Sequence, residues 1–281
     1  MDADAHRLES LDAWEAAAAG WARRADWFAE MTRPVSHWMV DAVRLQPGHR
    51  VLELAAGTGE TGFLAAELIA PGGRLISSDQ AEAMLELGRA RAVELGLSNV
   101  EFKVIDAEWI DLPLASLDAV LCRFGYMLMA DPAAALRETR RVLAPGGRLA
   151  LAVWDRADAN PWSLVSRRAL EAHGLRDPSP PGAPGPFSLG DADRVGELLE
   201  EAGFTEIELD AVDIVQRDPD FETWWAGHLD MSTLARRAVE DGDPPAVDAA
   251  KAEIRAGLAA YADDAGRLAI PGRAILAAAG A

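Results

Sequence analysis

The chain has 281 residues, enough to bury a sizeable core as one domain with added segments, and its half-hydrophobic, quarter-charged composition is that of a soluble globular protein. Its formal charge of −19 repels phosphate backbones and anionic lipid, which excludes nucleic acid or a membrane surface as the expected main partner. A single cysteine, Cys122, allows no intrachain disulfide and no thiolate zinc cluster, and no apolar run approaches the roughly 20 residues that span a bilayer.

The N-terminus, "MDADAHRLESLDAWEAAAAG", is acidic and lacks the charged-then-apolar order of a leader, so a cytoplasmic protein is expected. Residues 8–45 carry helical spacing with scattered aromatics, Trp14, Trp21, Trp27, Phe28 and Trp38. Pro34 predicts a break into two helices. "QPGHR" (46–50) then ends the pattern and leads into a strand.

From there short apolar runs alternate with amphipathic segments. "RVLELA", "RLISSD", "VEFKVID", "LDAVLCRF" and "GRLALAVW" read as strands, with helices between them at about 60–70, 81–95 and 132–143. Apolar strands separated by helical crossovers predict a parallel sheet covered on both faces. Pro71-Gly72-Gly73 and Pro145-Gly146-Gly147 each stop a segment ahead of a strand. Cys122 falls within the fourth run, as a buried inert thiol.

Residues 155–190 change character, and "DPSPPGAPGPF" (177–187) predicts a loop or flap. A helix at about 191–202, a strand at 205–215, a charged helical region to about 263 and a last strand in "GRAILAAAGA" complete the chain. The expected organisation is a single domain over 1–281. It comprises a helical lid (1–45), a cofactor-binding core (46–154), a proline-rich insertion with a helix (155–203) and C-terminal strands with a helical insertion (204–281).

"VLELAAGTGETG" (51–62) contains G-x-G-x-x-G between a predicted strand and a predicted helix. Such a loop aims backbone amides at a ligand. For a dinucleotide the ligand is a pyrophosphate, yet Glu53 stands at the loop's entrance and no Lys or Arg lies within 51–62 to offset it. A ligand carrying ammonium and sulfonium cations turns that carboxylate from repulsive to attractive, which favours S-adenosylmethionine. Asp79, twenty residues beyond Gly59, ends the second run, where a carboxylate accepts ribose hydroxyls. Asp106 in "VIDAEW" ends the third. Acids at three successive strand ends converge on one rim of the sheet.

These stretches, with "SDQAEAML", "LDAVLCRFGYMLMADPAAALRETRRVLAPGGRLALAVW" and "PFSLGDADRVGELLEEAGF", resemble the class I S-adenosylmethionine-dependent methyltransferases. Within these the chain is most similar to the ubiquinone/menaquinone-biosynthesis-like small-molecule subgroup, over about residues 46–210. The resemblance implies a Rossmann-like α/β fold with a seven-stranded sheet whose last strand is antiparallel. It implies that Glu53 and the loop Ala55, Gly57 and Gly59 hold the methionine part and Asp79 the ribose. Gln80 and Met84 would flank adenosine, Asp106 and the Ala107 amide would read adenine, and Arg123 would lie near the methionine end. The family usually has glycine at Ala55, so a methyl group there requires a negative φ and no pressure from the cofactor.

The implied reaction is in-line methyl transfer to a small acceptor, with S-adenosylhomocysteine as product; O- or C-methylation is favoured and N-methylation admitted. "RFGYMLM" lacks the Asn/Asp-Pro-Pro-Tyr arrangement of amide and nucleobase N-methylation. Candidate general bases are His37, His228 and Tyr126, and candidate acceptor-lining residues are Trp21, Trp27, Met127 and Trp225. Asp155, Asp158 and Asn160 suggest a metal cluster by type, but "WDRADANPW" reads as a capped turn and no metal is expected. The alternatives are a non-catalytic S-adenosylmethionine-binding protein and an NAD-dependent oxidoreductase; the second lacks a hydride-site constellation. A small-molecule acceptor is the expected partner, without nucleic acid or membrane insertion, and a homodimer is admitted.

Overall fold

The computed structural model describes residues 3–180 and 182–281. The apolar runs become β1 (Arg50–Glu53), β2 (Arg74–Asp79), β3 (Val100–Val104), β4 (Leu117–Arg123) and β5 (Leu143–Trp154), joined in parallel. β6 (Thr205–Asp218) and β7 (Leu268–Gly280) follow, and the sheet order is β3-β2-β1-β4-β5-β7-β6. β7 is antiparallel to both β5 and β6, so the last strand alone runs against the rest, as expected. Strand order reverses between β1 and β4. That switch point opens a crevice at the carboxyl ends of the strands, where such sheets bind ligands.

Central strands are buried along their length because helices cover both faces. β2 is buried from Leu75 to Asp79 and β5 from Gly147 to Trp154. Edge strand β6 differs: it carries Glu206, Glu208, Asp210 and Asp213, charges that block edge pairing. Arg148, 6% exposed, reaches across from β5 to Glu206 (3.2 Å) and Glu208 (3.0 Å). Its Nε also donates to the Ala42 carbonyl at 2.9 Å.

The crossover helices α2 (Glu60–Leu68), α3 (Glu82–Glu94) and α4 (Pro132–Val142) match their expected spans within two residues. Asp131 caps α4 by accepting from the Ala134 N–H (2.9 Å), and Pro132 takes the first turn, where no N–H is needed. The second Pro-Gly-Gly lies inside β5 rather than before it. Leu143 already pairs with Leu117, and the register shifts before Ala119.

Two expectations require correction. The N-terminal region forms one helix, α1 (Ala3–Ala42), and Pro34 does not divide it. Pro34 is exposed, while Phe28, Thr32, Val35, Ser36, Met39 and Val40 on both sides of it are buried, so packing outweighs the lost Glu30 hydrogen bond. The stretch 155–203 also contains an unforeseen helix, α5 (Pro161–Ala172), that starts on Asn160-Pro161. Proline there is a first-turn residue rather than a breaker.

The segment 177–187 has neither helix nor strand among its described residues and is pinned down. Gly185 N–H and Ser188 Oγ both donate to the Met127 carbonyl, at 2.9 and 2.6 Å. After α6 (Ala192–Glu201) and β6 come α7 (Phe221–Met231), α8 (Thr233–Glu240) and α9 (Pro244–Leu258). Phe221, Trp224, Trp225, Ile254 and Leu258 pack with Ala169 of α5 and Leu268 and Ile270 of β7 in a second core. Among the described residues no helix is long and apolar enough to cross a membrane.

Pro34→Ala restores a helical N–H at an exposed position, against a small gain in unfolded-chain freedom, and should stabilise the protein by about 1–2 kcal/mol. Thermal unfolding should shift upward by about 2–6 °C. An unchanged or lower midpoint would mean that the missing bond costs nothing there.

Candidate active site

Beyond β1 the chain turns through alternate left-handed residues: Ala55 at φ +50°, Gly57 at +56° and Gly59 at +88°. The turn is stitched to its neighbours by Leu54 N–H to Leu121 O and Ala56 N–H to Ser78 O, both 2.9 Å. A Cβ at Gly57 would meet nothing within 4 Å, so one side of the turn is open. Ala55 does not have the negative φ that its methyl group was expected to require. An L residue in this region costs roughly 1–2 kcal/mol, which the bonds on either side of it offset.

Two carboxylates lie under the turn. Glu53, 2% exposed, accepts from Gly62 N–H of α2 at 2.8 Å and from Ser77 Oγ at 3.4 Å. Gly62 is required by that approach, since a Cβ on it would overlap the Glu53 carboxylate. Burial pushes Glu53 up from 4.5 to about 8, against the Gly62 hydrogen bond and the Arg123 charge. Asp79, 8% exposed, accepts from Gly57 N–H (2.9 Å) and Ala81 N–H (3.0 Å), and burial raises it too. Each Asp79 oxygen takes one of these donors and keeps capacity for another. Asp106 differs from the expected pattern: β3 ends at Val104, and Asp106 sits exposed in the following turn, accepting from Glu108 N–H at 2.8 Å. Ala107, next in that turn, is half-buried.

Helix α1 covers this rim. Gln80 Nε2 donates to Ser10 Oγ (3.0 Å), and Glu15 accepts from the Glu82 and Ala83 N–H groups at the start of α3 (2.7 and 3.2 Å). Met84, 1% exposed, packs in a cluster with Ala17 and Ala18. His6 Nε2 lies 3.2 Å from Leu128 O, and Arg7 Nε donates to Glu108 at 3.2 Å. Arg123, at the end of β4, ties α1 to the glycine turn. It donates to Glu60 (2.7 Å), Thr32 Oγ1 (2.6 Å) and Ser36 Oγ (3.3 Å) and lies 5.1 Å from the Phe28 ring.

A row of aromatic rings runs beside this network. Trp14, Trp21 and Phe28 of α1 lead to Phe124, which stacks on Trp154 at 4.1 Å and 11°. Trp162 of α5 and Phe187 of the pinned loop continue it. Phe124 has φ +61°, a genuine outlier for a bulky residue and of the kind that collects at functional sites. Of this row the sequence reading singled out Trp21 as an acceptor residue. Phe124 and Trp154 were legible as aromatics at strand ends; Phe28, Trp162 and Phe187 join only through the fold.

The other candidates fall elsewhere. His37 is exposed on α1. His228 lies between α5 and α7, 2.8 Å from Ser166 Oγ and stacked on Trp224, and burial lowers it to about 4. Tyr126 is fully buried with its hydroxyl 2.6 Å from Thr139 of α4, and burial raises the phenol. Trp27 donates to Arg217 O (3.0 Å), Met127 is buried where the pinned loop attaches, and Trp225 belongs to the second core. Asn160 is a structural tie: its amide nitrogen donates to three carbonyls and its Oδ1 accepts from Trp162 Nε1 and Arg273 N–H. Among the described residues no group of His, Cys, Asp and Glu could hold a metal ion. Burial pushes the Cys122 thiol up to about 12.

A seven-stranded sheet in this order, with a carboxylate-anchored glycine turn at its switch point, defines an α/β protein of the nucleoside-cofactor-binding class. A family model described as "Methyltransferase domain" matches residues 45–214. The chain belongs to this S-adenosylmethionine-dependent methyltransferase family. It is 36% identical over 111 residues to the "Ubiquinone/menaquinone biosynthesis C-methyltransferase UbiE" of Cellvibrio japonicus, covering 39% of this chain and 45% of that protein. The chain spans about half the length of the curated relatives it matches. Among solved structures it is similar to YcgJ of Bacillus subtilis (TM-score 0.56, 18% identity, 87% of this chain and 97% of that one). It is also similar to a Haemonchus contortus phosphoethanolamine N-methyltransferase 2 in complex with phosphomonomethylethanolamine and S-adenosylhomocysteine (TM-score 0.54, 17% identity, 88% and 52%). At these identities the likeness is one of fold.

The buried Glu53 carboxyl gives a pH signature. The native protein keeps a proton there that the unfolded chain releases between pH 4.5 and about 8. Its contribution to stability is complete below 4.5 and lost as pH rises through 8. Glu53→Gln, which keeps an acceptor for Gly62 N–H, should flatten that decline by at least ~1 kcal/mol in denaturant unfolding across the range. Parallel pH profiles for the two proteins would show that Glu53 is already ionised in the native state.

Proposed function

We propose that the chain is a methyltransferase acting on a small, apolar or aromatic acceptor, and that the glycine turn and its carboxylates are the cofactor seat. The turn fits the cofactor on three counts. Its open side lies at Gly57, it has no cationic side chain within 51–62, and Asp79 retains acceptor capacity suited to ribose hydroxyls. In this reading Ala55, Gly57 and Gly59 hold the methionine part, Gln80 and Met84 flank adenosine, and Asp106 and the Ala107 amide read adenine. Glu53 stays beneath the loop, so it acts by fixing the start of α2 through Gly62 N–H rather than by touching the ligand. Arg123 joins that seat to α1 through Glu60, Thr32 and Ser36, which supports reading α1 as the lid.

When bound, S-adenosylmethionine supplies a methyl group already activated on sulfonium. The chain's work is alignment and exclusion of water. The observation that carries the acceptor assignment is the Phe124–Trp154 stack at the rim, flanked by Phe28 from α1 and Trp162 from α5. Rings of this kind orient a flat apolar molecule by stacking and edge contacts. His37, Tyr126 and His228 do not meet this row, which favours an acceptor that brings its own nucleophile, such as an electron-rich ring carbon or an ionised oxygen. That chemistry agrees with the C-methyltransferase activity for which the UbiE relatives are named.

Calorimetric titration should show binding of S-adenosylmethionine and no binding of NAD. Asp79→Ala should weaken the first by about tenfold or more, a loss of about 1.4 kcal/mol. Failure of the wild-type protein to bind the sulfonium cofactor would sink the reading. An acceptor panel assayed for S-adenosylhomocysteine release should favour planar aromatic compounds, and Phe124→Ala should lower kcat/KM on them. Binding without turnover on any acceptor would favour a non-catalytic protein.

A further inference from the structure

We propose that Gly125 is a positioning residue for the cofactor seat, because it supplies the space into which the Ala55 methyl group packs. This rests on the reading of the glycine turn as that seat. Ala55 lies in the left-handed region, so the direction of its Cβ is fixed by the turn. A Cβ built on Gly125 would fall 2.7 Å from the Ala55 Cβ and 2.7 Å from Cys122 Sγ, distances that real Cβ atoms do not show. Gly125 itself has φ −91° and ψ −53°, a conformation open to any residue. Glycine is therefore required at 125 by space and not by dihedral angle.

The contact joins two segments that must keep a set distance. Ala55 belongs to the loop after β1, and Gly125 follows Arg123 and Phe124 at the end of β4. Both segments are otherwise fixed. Leu54 N–H donates to Leu121 O, Phe124 N–H to Ala152 O and Leu128 N–H to Gly125 O. Cys122 Sγ is buried on one side, so an added methyl at 125 cannot be absorbed there. The remaining freedom is for the turn to move off β4, which displaces Gly57 N–H from Asp79. The methyl at 55 is accommodated because its partner across the crevice has none.

The test is a double-mutant cycle of Ala55→Gly and Gly125→Ala, read by S-adenosylmethionine titration and by thermal unfolding of the cofactor-free protein. Gly125→Ala alone should weaken binding about tenfold or more and lower the melting temperature by about 4 °C or more. In the Ala55→Gly background the same substitution should cost at most about threefold in affinity and less than half of that thermal shift. Equal losses in both backgrounds, or a harmless Gly125→Ala, would overturn the proposal; the first result would make Cys122 the obstacle instead. Where Gly125→Ala does not fold, recovery of folding in the double variant supports the contact and its failure to recover refutes it. Absence of binding by the wild-type protein would remove the cofactor reading, while the thermal cycle still decides the contact.

Discussion

The left-handed path of residues 55–59 exists because two carboxylates hold it from below. Gly57 N–H is fixed by Asp79 and Gly62 N–H by Glu53, so the turn is clamped at its middle and at the first turn of α2. Each clamp is costly. Buried carboxyls lose hydration that one or two N–H donors only partly replace, which is why both are raised. The surrounding packing must offset that cost: Leu52 and Leu54 are buried in the main core, and Phe63 of α2 packs behind Gly59. In the proposed reading this turn, with strain at Ala55 and costly polarity beneath it, is a pre-organised cofactor seat held in place by the rest of the fold.

Helix α1 packs over that turn along its length. Its 40 residues have no single apolar stripe because successive turns face different partners. Ala17 and Ala18 pack with Ala81 and Met84, Phe28 and Thr32 meet Arg123, and Val35, Met39 and Val40 enter the main core. Arg123 is the joint between these regions. Its pair with Glu60 leaves both side chains 8% exposed, and the guanidinium also donates to hydroxyls from α1. Removing one member of such a buried pair strands the other's charge, so the arrangement couples the position of α1 to that of the glycine turn.

The sheet was legible because its strands are apolar along their length and their crossovers are amphipathic, and both periods are visible locally. The seven-strand count and the reversed last strand came from the family resemblance, since nothing in "GRAILAAAGA" by itself dictates direction. What escaped depends on distant partners. Pro34 reads as a break from local rules, yet burial of residues on both sides keeps the helix whole. Asn160-Pro161 reads as a turn, while Asn160 spends its amide on carbonyls as far away as Arg273. The carboxylates at 53 and 79 were found by position at strand ends. The roles of Gly62 and Gly125 were not, because a glycine required by space leaves no mark on its own sequence neighbourhood.

In the proposed reading the site is divided between parts of the chain, and that division explains why kinship does not carry an acceptor with it. The glycine turn, Asp79 and Arg123 lie at the carboxyl ends of β1, β2 and β4, within the matched stretch 45–214. The aromatic row begins outside it, with Trp14, Trp21 and Phe28 on α1, and meets the matched part at Phe124. Its far end, Trp162 and Phe187, is supplied by an insertion whose loop hangs on Met127. A cofactor common to a family constrains the first set by charge and hydrogen bonding, which tolerate little change. An apolar acceptor constrains the second by shape and area, which many combinations of rings can satisfy. In the proposed reading specificity resides where helix, strand tip and the 155–190 stretch meet at Phe124, whose left-handed backbone accompanies the stack of its ring on Trp154.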